Sequence, residues 1–218
     1  MAVKTYSYAK DKNIKLSEHF SVWEFRCKDG TDKILINTEL IKVLEKLRAY
    51  LNCKSITINS GYRTPSYCVK IGSFKNSQHT KGNAADIKCQ KQNGSYYSSN
   101  EVCCALEDLG HIGGIGKINN VSAVHVDVRG YKSWFDETNN EKTCQSWYTY
   151  LGIKKKPVKG DVDGDGKKTA SDARKVLRAS AELETLTEEQ KKAADMNGDG
   201  KITAADAQQI LKESSGVK

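Results

Sequence analysis

The sequence predicts an α+β fold, a small antiparallel sheet with helices, followed by an all-α domain of two repeated loop–helix units. Two observations carry this. Up to residue 153, short alternating apolar runs are interleaved with stretches whose apolar residues recur every three or four positions, the periods of strands and helices respectively. Beyond it a repeat takes over, in which Asp161-Val162-Asp163-Gly164-Asp165-Gly166-Lys167 returns 34 residues later as Asp195-Met196-Asn197-Gly198-Asp199-Gly200-Lys201.

Asn37 or Thr38 caps a helix running to about Leu51, with Leu40, Leu44, Leu47 and Leu51 as its apolar stripe. Ser55 to Asn59 alternates, Ile56 and Ile58 against Thr57, and reads as a strand leading into a Ser60-Gly61 turn. Ala84 to Cys89 is a second short strand. Ser99 caps another helix, with Val102, Leu106 and Leu109 inward and Gly110 as its stop. Val121 to Arg129 is a strand that places Val124, Val126 and Val128 on one face and His125, Asp127 and Arg129 on the other. The interval 154–159 is basic and leads through Pro157 to Gly160. It reads as a linker between a first domain, 1–153, and a second, 160–218. In the second domain Thr187 and Gln190 form a capping box for a middle helix. Ala173, Val176 and Leu177 recur as Ala207, Ile210 and Leu211, giving matched apolar faces.

The net charge of +8 is unevenly placed: residues 1–157 hold 24 Lys and Arg against 15 Asp and Glu, the remainder 11 against 12. A basic first domain suits a polyanionic surface such as a wall bearing teichoic acid. No recognition-helix or RNA-binding signature accompanies the charge, which argues against nucleic acid. No apolar run is long enough to span a bilayer. Residues 1–15 are polar and lysine-rich, without the apolar stretch of a signal peptide. That predicts synthesis in the cytoplasm, or secretion if a leader has been removed. All seven cysteines lie in the first domain and none forms a C-x-x-C pair. The odd number leaves at least one thiol free, and small buried thiols are expected rather than a disulfide framework. Nothing places a His beside a particular Cys, so a cysteine nucleophile is not expected.

The chemistry concentrates between residues 60 and 127. Ser60-Gly61-Tyr62-Arg63-Thr64-Pro65 is followed by Ser77-Gln78-His79, then Asp86, then His125-Val126-Asp127. Two imidazoles and a carboxylate, with one position left to water, are the donor set of a catalytic zinc site. Zinc brings the pKa of bound water near neutral and polarises a carbonyl. A nearby Arg holds a carboxylate or a developing oxyanion. The reaction class is metal-assisted hydrolysis of an amide.

The order S-G-Y-R, S-x-H-x6-D and H-V-D resembles the zinc D-Ala-D-Ala carboxypeptidase family, which includes phage endolysin peptidases and shares the hedgehog fold. Glu24-Phe25-Arg26-Cys27-Lys28-Asp29-Gly30 and Gly113-Gly114-Ile115-Gly116 extend the resemblance over residues 12–135. It implies one zinc held by His79, Asp86 and His125, with Arg63 and Ser77 facing substrate, and stem peptides of peptidoglycan as the substrate. Members usually carry an acid three residues before the last zinc ligand. Here Ser122 stands there, and Asp127, projecting on the side of His125, is the expected general base. Its alternative role is to orient a metal-bound imidazole. His19 and His111 lack such context and are expected to be structural.

Each repeat of the second domain offers oxygen donors at positions 1, 3, 5, 9 and 12 of a loop: Asp161, Asp163, Asp165, Thr169 and Asp172, then Asp195, Asn197, Asp199, Thr203 and Asp206. Gly166 and Gly200 provide the sharp turn at position 6, and Lys167 and Lys201 a backbone carbonyl at position 7. This is an oxygen cage for a hard cation, so two calcium ions are expected. The duplicated unit resembles a type I dockerin, which implies a cohesin partner. Lys168 stands at position 8, where an apolar residue such as Ile202 of the second loop is expected, and predicts a weaker first site.

Together these readings predict a zinc-dependent peptidoglycan peptidase, carboxypeptidase-like or endopeptidase. It would be a phage or prophage endolysin that acts on the wall after release and carries a calcium-binding dockerin-like domain. The alternatives are a non-catalytic zinc-bearing wall-binding module and a cellulosome-associated wall enzyme docked to a cohesin.

Overall fold

The computed structural model describes residues 3–118, 123–139, 142–153, 155 and 157–215. The chain divides into two compact units, Met1–Ile153 and Lys154–Lys218. Lys154 and Lys156 of the expected linker lie outside the described residues.

In the first unit, β1 (Val3–Ser7) runs into a single turn, α1 (Tyr8–Asp11), and pairs antiparallel with β2 (Lys33–Asn37). Between them a 3-10 turn over Val22–Phe25 is closed by a Ser21–Glu24 capping box. Asn37, the N-cap of α2 (Thr38–Tyr50), accepts the Glu39 N–H. Leu40, Ile41, Leu44 and Leu47 are buried along the inner face of that helix. Next come β3 (Ser55–Ser60) and α3 (Pro65–Lys70), which is capped by Thr64. Pro65 fills its first turn, where the missing N–H costs nothing. A 3-10 turn over Gln78–Lys81 leads to β4 (Ala84–Gln90). The next helix, α4 (Ser99–Asp108), is capped by Ser98 with Glu101, one residue earlier than expected. There follow β5 (Gly114–Lys117), β6 (Val124–Asp127), β7 (Ser133–Asp136), β8 (Lys142–Thr143) and α5 (Trp147–Leu151).

The fold class is α+β, as the periodicities require, and the main sheet is larger than expected. Six strands lie in the order β3-β4-β6-β5-β7-β8. All pairs are antiparallel except β5 with β7, because the chain leaving β6 crosses to the far side of β5. The strand expected over 121–129 is described only for Val124–Asp127; Val121 and Ser122 lie outside the described residues. Ala85, Ile87, Cys89, Val124, Val126, Ile115 and Trp134 belong to one apolar core with the inner faces of α2 and α4. All seven cysteines are free and buried. Alternation therefore leaves Asp86, His125 and Asp127 on the opposite, polar face of the sheet.

The second unit consists of α6 (Ala170–Ser180), α7 (Glu188–Ala194) and α8 (Ala204–Ser214). Each opens with a capping box: Thr169–Asp172, Thr187–Gln190 and Thr203–Asp206. Its small core holds Val162, Ala173, Val176, Leu186, Ala193, Ala194, Met196, Ala207 and Ile210. Leu177 and Leu211, expected on the matched inner faces, are instead about half exposed. Each lies one position past a buried residue, about 100° round the helix. No helix of the described residues is long and apolar enough to cross a membrane.

Candidate active site

Asp86 of β4 is in register with His125 of β6, His125 with Gly116 of β5, and Gly116 with Phe135 of β7, forming one row across the sheet. His79 reaches this row from the Gln78–Lys81 turn, whose cap is the Ser77 hydroxyl, accepting the His79 N–H at 3.3 Å. The turn ends on Gly82 at φ +72°, where an added Cβ would lie 2.6 Å from the Leu35 carbonyl. Glycine is the residue that fits both demands.

His79, Asp86 and His125 are buried and converge. His79 Nε2 lies 3.2 Å from Asp86 Oδ1 and 3.2 Å from His125 Nδ1, and His125 Nδ1 lies 3.1 Å from the same carboxylate oxygen. The outer nitrogens fix the tautomers. His79 Nδ1 donates to the Gly61 carbonyl at 2.7 Å, and His125 Nε2 donates to Asp127 Oδ2 at 3.0 Å. In the neutral rings two bare nitrogen lone pairs and a carboxylate oxygen then face one another. Only positive charge between them satisfies that arrangement, and the donors are those zinc takes. The pKa shifts carry the same message. Burial favours neutral His125, but Asp127 and Asp86 outweigh it and push its pKa up to about 9. Burial lowers the pKa of His79. Burial would raise Asp86, but His79 and His125 hold it well below the usual carboxylate range.

Arg63 lies just beyond β3, its Nη2 donating to Asp86 Oδ2 and its Nε to Ser60 Oγ at 2.7 Å. It is thus tied to the donor set as well as placed on the cleft wall. Asp127 does not occupy the position expected of a base. It is fully buried behind His125. Its oxygens accept the Gly114 N–H at 2.9 Å, the Arg129 N–H at 3.0 Å and the Arg129 guanidinium. Burial raises its pKa, but His125 and Arg129 hold it well below the ordinary value. Sharing a strand face with His125 put Asp127 on the correct side of the sheet. The imidazole nevertheless lies between it and the cleft, so it orients His125. His111, expected to be structural, donates from Nε2 to the Asp127 carbonyl at 2.9 Å. His19 pairs with Glu45 at 2.8 Å.

The cleft over this row has a volume of about 890 Å³. Phe74 and Tyr131 on its walls are strongly exposed. Arg129, Tyr131, Ser133, Phe135 and Glu137 line it at every second position. The Phe135 ring lies 5.7 Å from that of His125. Sequence reading missed this wall, because the chain reverses between β6 and β7 and the pairing of β7 with β5 is long-range.

In the second unit both loops close in the same way. Asp161 accepts Gly164 N–H at 2.8 Å and Gly166 N–H at 2.9 Å; Asp195 accepts Gly198 at 2.7 Å and Gly200 at 3.0 Å. Asp165 and Asp199 each accept the next-but-one N–H, of Lys167 and Lys201, at 2.8 Å. Asp172 and Asp206 each take backbone N–H groups on one oxygen and the Thr169 or Thr203 hydroxyl on the other. Asp161, Asp163 and Asp165 bring carboxylate oxygens close enough together to hold a cation; in the second loop Asn197 stands between Asp195 and Asp199. Lys168 departs from the pattern by extending to Glu213 at 2.7 Å, whereas Ile202 packs on the core.

Residues 15–127 match the family model described as Peptidase M15, and residues 159–213 match that of the Dockerin type I domain. No curated protein and no solved structure matches the chain. The first match covers more than half of the residues and includes the whole His79–Asp86–His125 constellation, so the chain belongs to the peptidase M15 family, with a type I dockerin domain in its C-terminal region.

Proposed function

We propose that the first unit is a zinc-dependent peptidase hydrolysing an amide bond of peptidoglycan stem peptides. The observation that carries this reading is the convergence of two imidazole nitrogens and one carboxylate oxygen at 3.1–3.2 Å beneath an open cleft. One zinc held by His79, Asp86 and His125 would supply a polarised carbonyl and an acidified water. The chain's own residues do the rest. The Gly61 carbonyl and the Asp127 carboxylate hold the two imidazoles in the ligating tautomer. Arg63 steadies Asp86 and offers the guanidinium suited to a substrate carboxylate or developing oxyanion. Ser77, whose oxygen caps the His79 turn, keeps its hydroxyl hydrogen for substrate. Lys81, Arg63 and Arg129 around the cleft suit a peptide bearing free carboxylates, as stem peptides do.

The second unit would bind two calcium ions, through Asp161, Asp163, Asp165, Thr169 and Asp172 and through Asp195, Asn197, Asp199, Thr203 and Asp206, and dock onto a cohesin. The setting is lysis by a phage or prophage endolysin or wall remodelling by a docked enzyme. The dockerin match favours the docked enzyme.

The test is digestion of purified muropeptides by zinc-loaded protein, chelated protein and the His79→Ala variant, read by mass spectrometry. Loss of a terminal D-alanine would mark a carboxypeptidase, and splitting of cross-linked dimers an endopeptidase. Both should vanish in the chelated protein and in the variant. Intact muropeptides with zinc-loaded protein, alongside tight binding to isolated walls, would establish the non-catalytic module instead.

A further inference from the structure

Amide hydrolysis by this site leaves one role unfilled, a group to take the proton of the attacking water. Position 122, three residues before His125, is a serine outside the described residues. Asp127 is sealed behind His125. Among the described residues, the cleft shows two carboxylates, Asp86 and Glu137, and Asp86 belongs to the converged donor set. We propose that Glu137 is the general base of the hydrolysis, a role that rests on the peptidase reading above.

The placement follows from the sheet. Ser133 and Phe135 of β7 line the cleft, while Trp134 and Asp136, which alternate with them, are buried. Glu137 continues the alternation on the cleft side as the first residue of the turn after β7. Register sets this wall beside the row, with β5 between it and His125. Phe135 stands opposite Gly116, and Gly116 opposite His125. A Cβ on Gly116 would meet the Phe135 ring at 2.3 Å, so the glycine is what lets that ring lie against the imidazole. Glu137 is two residues further on, half-buried at the cleft edge. Arg63 follows β3 and Glu137 follows β7, so they flank the Asp86–His125 row from opposite sides of the sheet. An amide lying over the row then has a cation on one side for the developing oxyanion and a carboxylate on the other for the water.

The step balances with water alone. As the water oxygen bonds to the carbonyl carbon, Glu137 takes one of its protons. That proton passes to the amide nitrogen as the C–N bond breaks, releasing an amine and a carboxylic acid, and Glu137 returns to the carboxylate.

The test uses the full chain loaded with zinc and compares wild type with Glu137→Gln and Glu137→Asp. In Glu137→Gln, zinc content should be unchanged, kcat should fall about 10²–10⁴-fold and KM should stay within a few-fold. Glu137→Asp should retain an intermediate kcat. A second readout is independent of turnover. A phosphinate analogue of D-alanyl-D-alanine is bound at pH 7 and followed by calorimetry in buffers of different ionisation enthalpy. Wild type should take up a proton as the base is protonated against the phosphinate oxygen, and Glu137→Gln should take up none. The proposal falls if the Gln variant keeps its kcat within tenfold, changes KM alone, loses zinc, or takes up the same proton as wild type. Those outcomes leave an active wild type and the peptidase reading intact, whereas a wild type inert on every muropeptide overturns both.

Discussion

His125 is gripped from both sides, Asp86 at its Nδ1 and Asp127 at its Nε2. An amide at position 127 still accepts from Nε2 but cannot match the charge of Arg129. Asp127→Asn should therefore weaken zinc binding about 10–100-fold, the usual cost of losing an outer-shell carboxylate. Competition with a chromophoric chelator measures this, and turnover of the fully metallated variant should stay within about tenfold of wild type. A thousandfold loss of turnover at unchanged zinc affinity would return Asp127 to the role of base. Asp136 makes a separate residue-scale prediction. Burial raises its pKa, but the Thr138 N–H and hydroxyl at 2.9 and 2.5 Å, together with Lys117, outweigh it and lower the value. A depressed folded pKa contributes stability that is fully present above the unfolded value, about 3.9, and is lost as pH falls through the folded one. In chelated protein, the urea midpoint of wild type should drop more between pH 7 and pH 3 than that of Asp136→Asn. Equal drops would refute the linkage.

At the scale of elements, β5 is the spacer of the site. Its glycines carry no side chain into the space that Asp127 and Phe135 occupy; a Cβ on Gly114 would lie 2.1 Å from Asp127 Oδ2. Gly116→Ala should cost roughly 1–3 kcal/mol as an overpacked site, measured by urea unfolding. The same substitution made together with Phe135→Ala should cost less than the sum of the two single changes, because the ring no longer opposes the methyl. Additive costs would show that the ring and the glycine are not in contact. The glycines also explain why β5 escaped the sequence reading. Residues 113–116 show no apolar–polar alternation, since three of the four have no side chain to alternate.

For the whole molecule, the two units differ in how much core they own. The first has Phe20, Phe25, Trp147 and a run of buried Leu and Ile. Among its described residues the second has nine buried apolar side chains, four of them alanine, beneath two loops crowded with carboxylates. Burial raises the pKa of Asp161; the Gly166 and Gly164 N–H groups oppose this, and the Asp172 and Asp165 charges add to it. A cation among these carboxylates would offset their mutual repulsion. Calcium binding then becomes folding energy, about 2.7 kcal/mol at a hundred times Kd. Amide exchange should show residues 160–218 protected in calcium and open in a calcium-selective chelator, with the first unit unchanged. Equal protection in both conditions would remove the coupling. Lys168 turns away to Glu213 where Ile202 packs inward, so the first loop should lose protection first as calcium is withdrawn. Earlier loss in the second loop would reverse that ranking.

The sequence by itself determined the fold class, helices α2, α4 and α7 with their caps to within a residue, the 34-residue loop repeat and the three side chains that converge. Those features are local: caps, periods and motif spacings act within a few residues, or place a side chain on one face of a known element. The tertiary structure decided which wall faces the site and which side of an imidazole a carboxylate takes. Alternation placed Asp127 and His125 on one face, but only the packing of β5 and Arg129 showed Asp127 sealed behind the ring. Glu137 could not be found from strand propensity, because its place depends on β7 crossing to run parallel to β5. That long-range pairing buries Trp134 and Asp136, and no motif encodes it.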